Sequence, residues 1–297
     1  ITLIEGDGIG PEILDSAVEV LTALGTNFDW HRFEAGMSAY NKNKDPLPQD
    51  LLDNIRKTKL ALKAPLETPI GEGFRSANVR LREEFKLYAN VRPAISFLHN
   101  RRKTDKIDLV LIRENTEGFY ADRNMFLGEG EFMPTQEVAL AVRKITKKGS
   151  VRIAKVAFEL AQERRRKVTI VHKANVLKMT DGLFLSEARA VGEEYPDVEV
   201  EDVLVDAMAA LLVRQPERFD VVLTSNMYGD ILSDECAELS GGLGFGGSLN
   251  AGDEHAVAQA AHGSAPDIAG EDIANPTALM LSCLLYTSDA ADDTPCV

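Results

Sequence analysis

Two aspartates, Asp230 and Asp234, stand four residues apart in Thr224-Ser225-Asn226-Met227-Tyr228-Gly229-Asp230-Ile231-Leu232-Ser233-Asp234-Glu235. The stretch follows the strand-like run Asp220-Val221-Val222-Leu223 and continues in helical rhythm through Cys236-Ala237-Glu238-Leu239. A helix after Gly229 puts both carboxylates on one face. Like charges at that spacing repel unless a cation lies between them. A divalent metal, which takes hard oxygen ligands, supplies such a cation. A solvated acidic face supplies a second explanation, and these residues alone leave both open.

The second chemical signature is arginine. Arg75, Arg80 and Arg82 are followed by Arg92, in Leu87-Tyr88-Ala89-Asn90-Val91-Arg92-Pro93, and by Arg113, directly after the apolar run 109–112. Residues just past the carboxyl ends of strands line ligand crevices in parallel α/β sheets. Guanidinium forks bind carboxylates bidentately, so converging arginines suit a polycarboxylate. Any single one reads first as a surface ion-pair partner.

The elements that must position these residues alternate. Strand Thr2-Leu3-Ile4, the loop Glu5-Gly6-Asp7-Gly8-Ile9-Gly10-Pro11-Glu12 and the amphipathic run 13–24 form strand, glycine loop, helix. The loop is G-x-G-x-G-P rather than the dinucleotide G-x-G-x-x-G, which favours a tight turn with Pro11 opening the helix. A helical run at 51–57 precedes strand 60–63. Strand 109–112, helix 152–164, strand 168–171, helix 182–195 and strand 221–224 follow. That order predicts an α/β fold with a largely parallel sheet. Gly241 to Gly247 reads as loop, and the acidic stretch 122–131 as a surface loop or an arm toward a second subunit.

A net charge of −14 over 297 residues argues against nucleic acid or an anionic membrane as the main partner. The basic runs Arg101-Arg102-Lys103 and Arg164-Arg165-Arg166-Lys167 then read as solvated surface. Three cysteines without CxxC spacing suggest neither a disulfide framework nor a zinc site, and fit a reducing, cytoplasmic compartment. The chain opens inside a strand-like run without Met. The helical segment 277–285 gives way to a polar stretch, 286–297, read as a foreign tail on a truncated chain.

Six stretches together resemble one family: residues 5–12, 87–93, Arg113-Glu114-Asn115-Thr116-Glu117-Gly118, His172-Lys173-Ala174-Asn175, Asn226 to Asp234, and His262-Gly263-Ser264-Ala265-Pro266-Asp267-Ile268-Ala269-Gly270 with Asn275-Pro276. The chain is similar to the β-decarboxylating dehydrogenases, which act on isocitrate, homoisocitrate, 3-isopropylmalate or tartrate and malate. The likeness runs from about residue 4 to 282. It implies a two-domain fold with a cleft between a discontinuous cofactor domain, 1–88 plus 237–285, and a substrate and dimerisation domain, 89–236. It implies that Arg82, Arg92 and Arg113 grip the malate-type carboxylates and that Tyr120 is the acid. Lys173, from the partner subunit of a homodimer, is the base. Asp230 and Asp234, with Asp206 from the other subunit, hold Mg2+ or Mn2+. Thr68, His262 to Ile268 and Asn275 contact the cofactor.

An aspartate at 267 suits a ribose 2′-hydroxyl and repels a 2′-phosphate, so NAD is the expected cofactor. Ser76 and Asn78 resemble the pair that hydrogen-bonds the γ-carboxylate of isocitrate; an isopropyl group would leave them unpartnered, a costly mismatch. The expected reaction is therefore oxidative decarboxylation of isocitrate, ahead of homoisocitrate, isopropylmalate and tartrate or malate. A non-catalytic regulatory subunit would lack some of Tyr120, Lys173, Asp206, Asp230 and Asp234; all are present. An inactive fragment remains the third reading.

Overall fold

The computed structural model describes residues 1–67, 76–96, 107–120, 127 and 130–287, with the side chains of 286 and 287 left aside. Thr68, the basic run 101–103, most of the acidic stretch 122–131 and the tail beyond 287 lie outside them.

In chain order the elements are β1 (Thr2–Ile4), α1 (Gly10–Ala23), β2 (His31–Phe33), α2 (Met37–Asn43), α3 (Gln49–Thr58), β3 (Leu60–Lys63) and α4 (Ala77–Glu84). Next come β4 (Ala89–Ile95), β5 (Asp108–Glu114), β6 (Glu131–Thr135), β7 (Val138–Ala141), α5 (Lys147–Glu163) and β8 (Lys167–His172). They are followed by α6 (Thr180–Gly192), β9 (Glu199–Leu204), α7 (Val205–Arg214), β10 (Val221–Thr224) and α8 (Asn226–Ser240). The last are β11 (Gly247–Ala251), β12 (Ala256–Ala260) and α9 (Thr277–Thr287). Two compact units result: Ile1–Leu87 with Gly242–Val297, and Tyr88–Gly241.

In the first unit the strands run β2-β1-β3-β12-β11, parallel except for β11, which is antiparallel to β12. Ile13, Leu14, Ala17 and Leu21 form the buried stripe of α1, with Pro11 in its first turn. The glycine loop is the tight turn expected. Gly6 (φ +69) and Gly8 (φ +58) take the left-handed backbone, and added Cβ atoms would meet Pro65 O at 2.2 Å and Ser264 O at 2.0 Å. These glycines seat protein backbone rather than framing an open phosphate cradle. Leu47, Leu51, Leu52, Ile55, Leu81 and Phe85 form the core here, with Ile4, Ala61 and Val257. Fully burying each large side chain contributes roughly 1.5–3 kcal/mol.

In the second unit the order is β4-β5-β10-β8-β9, again parallel apart from β4, antiparallel to β5. All four residues of Val221-Val222-Leu223-Thr224, three of them apolar, are buried, as in strands covered on both faces. The first turn of α5 begins at Lys147, five residues before the apolar rhythm becomes visible, because the Thr146 side chain caps it by accepting the Gly149 N–H. The same unit carries the hairpin β6–β7, whose Phe132, Met133, Val138 and Leu140 are all exposed.

Candidate active site

Antiparallel pairing of β4 with β5 sets the centre of the second unit. The register places Ala94 opposite Leu109, Arg92 opposite Leu111, and Asn90 opposite Arg113. Alternate residues share a face, so this face changes along its length from Ala94, Leu109 and Leu111 to Asn90, Arg92 and Arg113. Helix α8 lies against the two strands. Its Leu232 and Cys236 join the apolar part. Arg113 is the penultimate residue of β5, inside the strand rather than after it as the sequence suggested. Likewise α8 starts at Asn226, three residues before Gly229, so Asp230 and Asp234 lie in its second and third turns.

Five expected site residues meet here. Arg92 is 8% and Arg113 2% exposed. Arg113 Nη1 donates to Asp230 Oδ1 at 2.5 Å. Arg92 Nη1 donates to Asp234 Oδ1 at 3.0 Å, and Arg92 Nη2 lies 3.7 Å from Asp230 Oδ1. The Tyr120 hydroxyl donates to Asp230 Oδ2 at 3.3 Å. Burial lowers the Arg92 guanidinium from its ordinary value, with the Arg113 charge adding to it. Burial raises the Asp234 carboxyl; Arg92 opposes that and Asp230 reinforces it. The repulsion expected between Asp230 and Asp234 is met in this arrangement by two guanidinium groups. The carboxylates remain half open, with 42% and 56% of their side-chain surface exposed.

Neutral groups that carried no role in the sequence hold the arginines. Asn90 Oδ1 accepts from Arg92 Nε at 2.7 Å and Ser233 Oγ from Arg92 Nη1 at 2.5 Å. Asn226 Oδ1 accepts from Arg113 Nε and Nη2 at 3.0 and 2.6 Å. Gly229 gives the Arg113 stem its place, since a Cβ there would meet Arg113 Cγ at 2.5 Å.

Lys173 and Asp206 lie apart from this group and pair with each other, Nζ to Oδ1 at 2.5 Å. That hydrogen bond holds the Asp206 carboxyl below its usual range. The backbone before the Lys173 side chain is fixed by a residue with no sequence signal, Asp181, 1% exposed. Its carboxylate accepts the Lys173 N–H at 2.6 Å, the Tyr228 hydroxyl at 3.1 Å, and Arg143. Burial and the Asp181 charge push the Tyr228 hydroxyl up to about 12. Among the described residues no three carboxylate, imidazole or thiol side chains gather as a metal cage. Asp230 and Asp234 offer hard, half-exposed oxygen donors one turn apart on α8, so they fit as part of a set completed from elsewhere.

The remaining expected residues belong to the first unit. Asn78 and Arg82 are on α4, with Ser76 at its N-cap position, and Asn78 Oδ1 is buried without a hydrogen-bond partner. A cavity of about 310 Å³ is lined by Ile9, Leu243, His262, Ala265, Ile268 and Asn275 among others. Ser264 forms the cavity loop's support rather than its lining: its carbonyl accepts the Ile9 N–H at 2.8 Å, and its hydroxyl donates to Glu67 at 3.1 Å. Ala265 takes φ +38 ahead of the short 3-10 turn Pro266–Ile268, whose Asp267 is exposed. His262 Nε2 is buried and unpartnered. An apolar cavity with one orphaned ring nitrogen suits a flat heteroaromatic ring.

Known proteins show the same organisation. The isocitrate/isopropylmalate dehydrogenase family matches residues 1–293. The mitochondrial NAD isocitrate dehydrogenase catalytic subunit 5 of Arabidopsis thaliana is 44% identical over 283 residues, 95% of this chain and 74% of that one. The chloroplastic 3-isopropylmalate dehydrogenase of Solanum tuberosum is 43% identical over 283 residues, 95% of this chain and 77% of that one. The crystal structure of isocitrate dehydrogenase from Methylococcus capsulatus superposes with a TM-score of 0.89 at 47% identity, covering 99% of this chain and 86% of that one. A match across nearly the whole length, with fold and sequence in agreement, makes this chain a member of the isocitrate/isopropylmalate dehydrogenase family of oxidatively decarboxylating dehydrogenases.

Proposed function

We propose that the chain catalyses NAD-linked, Mg2+- or Mn2+-dependent oxidative decarboxylation of isocitrate to 2-oxoglutarate and CO2, as a homodimer with shared sites. The observation that carries this reading is the meeting of Arg92, Arg113, Tyr120, Asp230 and Asp234 on one face of the second unit. Two buried guanidinium groups there are balanced by two half-exposed carboxylates. Carboxylates held by a cation would leave the arginines free to take an anion, so the same four side chains could exchange an internal ion-pair network for a cation and a polycarboxylate.

In this reading Arg82, Arg92 and Arg113 orient the carboxylates of the malate core. Ser76 and Asn78 take the γ-carboxylate. The Asn78 amide, one end of which is unpartnered, presents its NH2 to that carboxylate by rotation about its last bond. The partner subunit's Lys173 takes the C2 hydroxyl proton while the hydride passes to the nicotinamide. After loss of CO2 from C3, the Tyr120 hydroxyl returns a proton to that carbon. A divalent cation held by Asp230, Asp234 and the partner subunit's Asp206 would stabilise negative charge on the C2 oxygen. The first unit serves the cofactor, with the adenosine half against His262–Ile268 and Asn275; the second serves substrate and dimerisation. The exposed apolar side chains of β6–β7 support a dimer, because a two-stranded hairpin is marginal alone in water. The Asp267 carboxylate supports NAD, since it would repel a 2′-phosphate.

The test is a panel of isocitrate, homoisocitrate, 3-isopropylmalate, D-malate and tartrate with NAD or NADP and Mn2+. Isocitrate with NAD is expected to give the highest kcat/KM. Faster turnover of isopropylmalate contradicts the substrate, and faster turnover with NADP contradicts the cofactor.

A further inference from the structure

We infer that Asn226 is a positioning residue that presents Arg113 to an anionic substrate with its charge undiminished. Asn226 is fully buried at the start of α8, immediately past β10. Both ends of its amide are used. Oδ1 accepts Arg113 Nε at 3.0 Å and Nη2 at 2.6 Å, and Nδ2 donates to the Glu117 carbonyl at 3.1 Å. The Glu117 carboxylate is itself engaged by the Thr146 N–H and hydroxyl, so the segment that orients the amide is tied to the cap of α5.

The usual partner of a guanidinium edge presenting Nε and Nη2 is a carboxylate, which accepts both bonds and cancels the charge. Asn226 accepts the same two bonds and cancels none of it. Among the described residues, the one anionic side chain that a hydrogen bond joins to Arg113 is Asp230, at Nη1. Side-chain accessibility divides the two partners: Asp230 is 42% exposed while Asn226 is fully buried. The buried edge is therefore locked by a neutral group, and the guanidinium charge is balanced only at Nη1, by a half-open carboxylate. Gly229 completes the seat by leaving room for the Arg113 stem. Arg92 is held in the same manner, with the neutral Asn90 and Ser233 on its other bonds. Two arginines, each steadied by neutral amide or hydroxyl oxygens, meet negative charge only at the half-exposed Asp230 and Asp234 among the described residues, where a ligand can replace it.

This inference rests on the reading of the site as one for a polycarboxylate. The test compares wild type with Asn226→Asp and Asn226→Ser in steady-state kinetics with isocitrate, NAD and Mn2+, alongside melting curves. Asn226→Asp is close to isosteric and adds one buried negative charge beside Arg113. The isocitrate KM is expected to rise about tenfold to a hundredfold, while the KM for NAD is unchanged and kcat falls far less. Asn226→Ser keeps a neutral acceptor, and its isocitrate KM is expected to stay within about threefold to tenfold of wild type, below that of Asn226→Asp. Equal KM increases in the two variants, or none in Asn226→Asp, overturn the inference. If Asn226→Asp does not fold, Asn226→Ser decides: a rise confined to isocitrate KM supports the role, and equal losses in kcat and both KM values overturn it. A wild type that turns over none of the hydroxy acids overturns the reading of the site and this inference with it, whereas an unchanged Asn226→Asp in an active enzyme overturns the inference alone.

Discussion

Lys63 ends β3 with 2% of its surface exposed, its ammonium donating to the Ala64 carbonyl at 3.1 Å. Burial lowers its pKa from 10.5 to about 7, Arg82 adds to the effect, and Asp7 opposes it. Between pH 7 and 10.5 the unfolded lysine carries a proton that the folded one lacks, so unfolding takes up a proton and stability rises with pH. Below about pH 7 both states are protonated, and the full cost of a buried ammonium is present. At 1.36 kcal/mol per pKa unit that cost is about 5 kcal/mol. Replacing Lys63 by Met, an uncharged side chain of similar length, removes it. In urea unfolding, Lys63→Met is expected to exceed wild type by about 5 kcal/mol at pH 6.5, the difference shrinking by about 1.4 kcal/mol per pH unit from pH 7 to 10. A difference that does not vary with pH, or that grows with it, would falsify the assignment of Lys63 as a buried amine with a lowered pKa.

Three further outcomes are expected. Gly229→Ala pushes a methyl onto the Arg113 stem, with the added Cβ 2.5 Å from Cγ; isocitrate kcat/KM should fall at least about tenfold and stability by about 1–3 kcal/mol, measured by kinetics and denaturant unfolding. Arg143→Met leaves the buried Asp181 carboxylate without its cation, which should cost about 3–5 kcal/mol in urea unfolding; a loss below about 1 kcal/mol contradicts the role given to the pair. Coexpressed Lys173→Ala and Tyr120→Phe chains should recover activity as heterodimers, because one hybrid site receives both intact residues, and verified heterodimers without activity contradict sharing across subunits.

Some of the centre could be read in the sequence because it depends on local spacing. Asp230 and Asp234 share a helix face whatever the surroundings, and β3, β10 and the buried stripe of α1 follow from short apolar runs and 3.6-residue periodicity. The meeting of Arg92 and Arg113 depends instead on the antiparallel register of β4 and β5, which sets Arg92 opposite Leu111 and Asn90 opposite Arg113 by choices no local pattern records. Asn226 was hidden because asparagine at a strand-to-helix turn reads first as a cap; in the structure Ser225 holds the N-cap position, and the Asn226 side chain binds Arg113 and the Glu117 carbonyl. Asp181 and Arg143 gave no signal, being 38 residues apart and joined only by folding. Helix ends shifted where side-chain caps outran the apolar rhythm, as at Thr146, and α9 runs two residues past Leu285 into the stretch read as tail.

The central claim is that Arg92, Arg113, Tyr120, Asp230 and Asp234 form the centre of a metal-dependent decarboxylating dehydrogenase. Its most direct test is the simultaneous measurement of NADH and CO2 from isocitrate, for wild type and Asp230→Asn, with Mn2+ and with a chelator. Equal molar amounts of the two products, lost on chelation and reduced at least about a thousandfold by Asp230→Asn at unchanged fold, are the predicted result. NADH without CO2, or turnover indifferent to both chelator and Asp230→Asn, would contradict it.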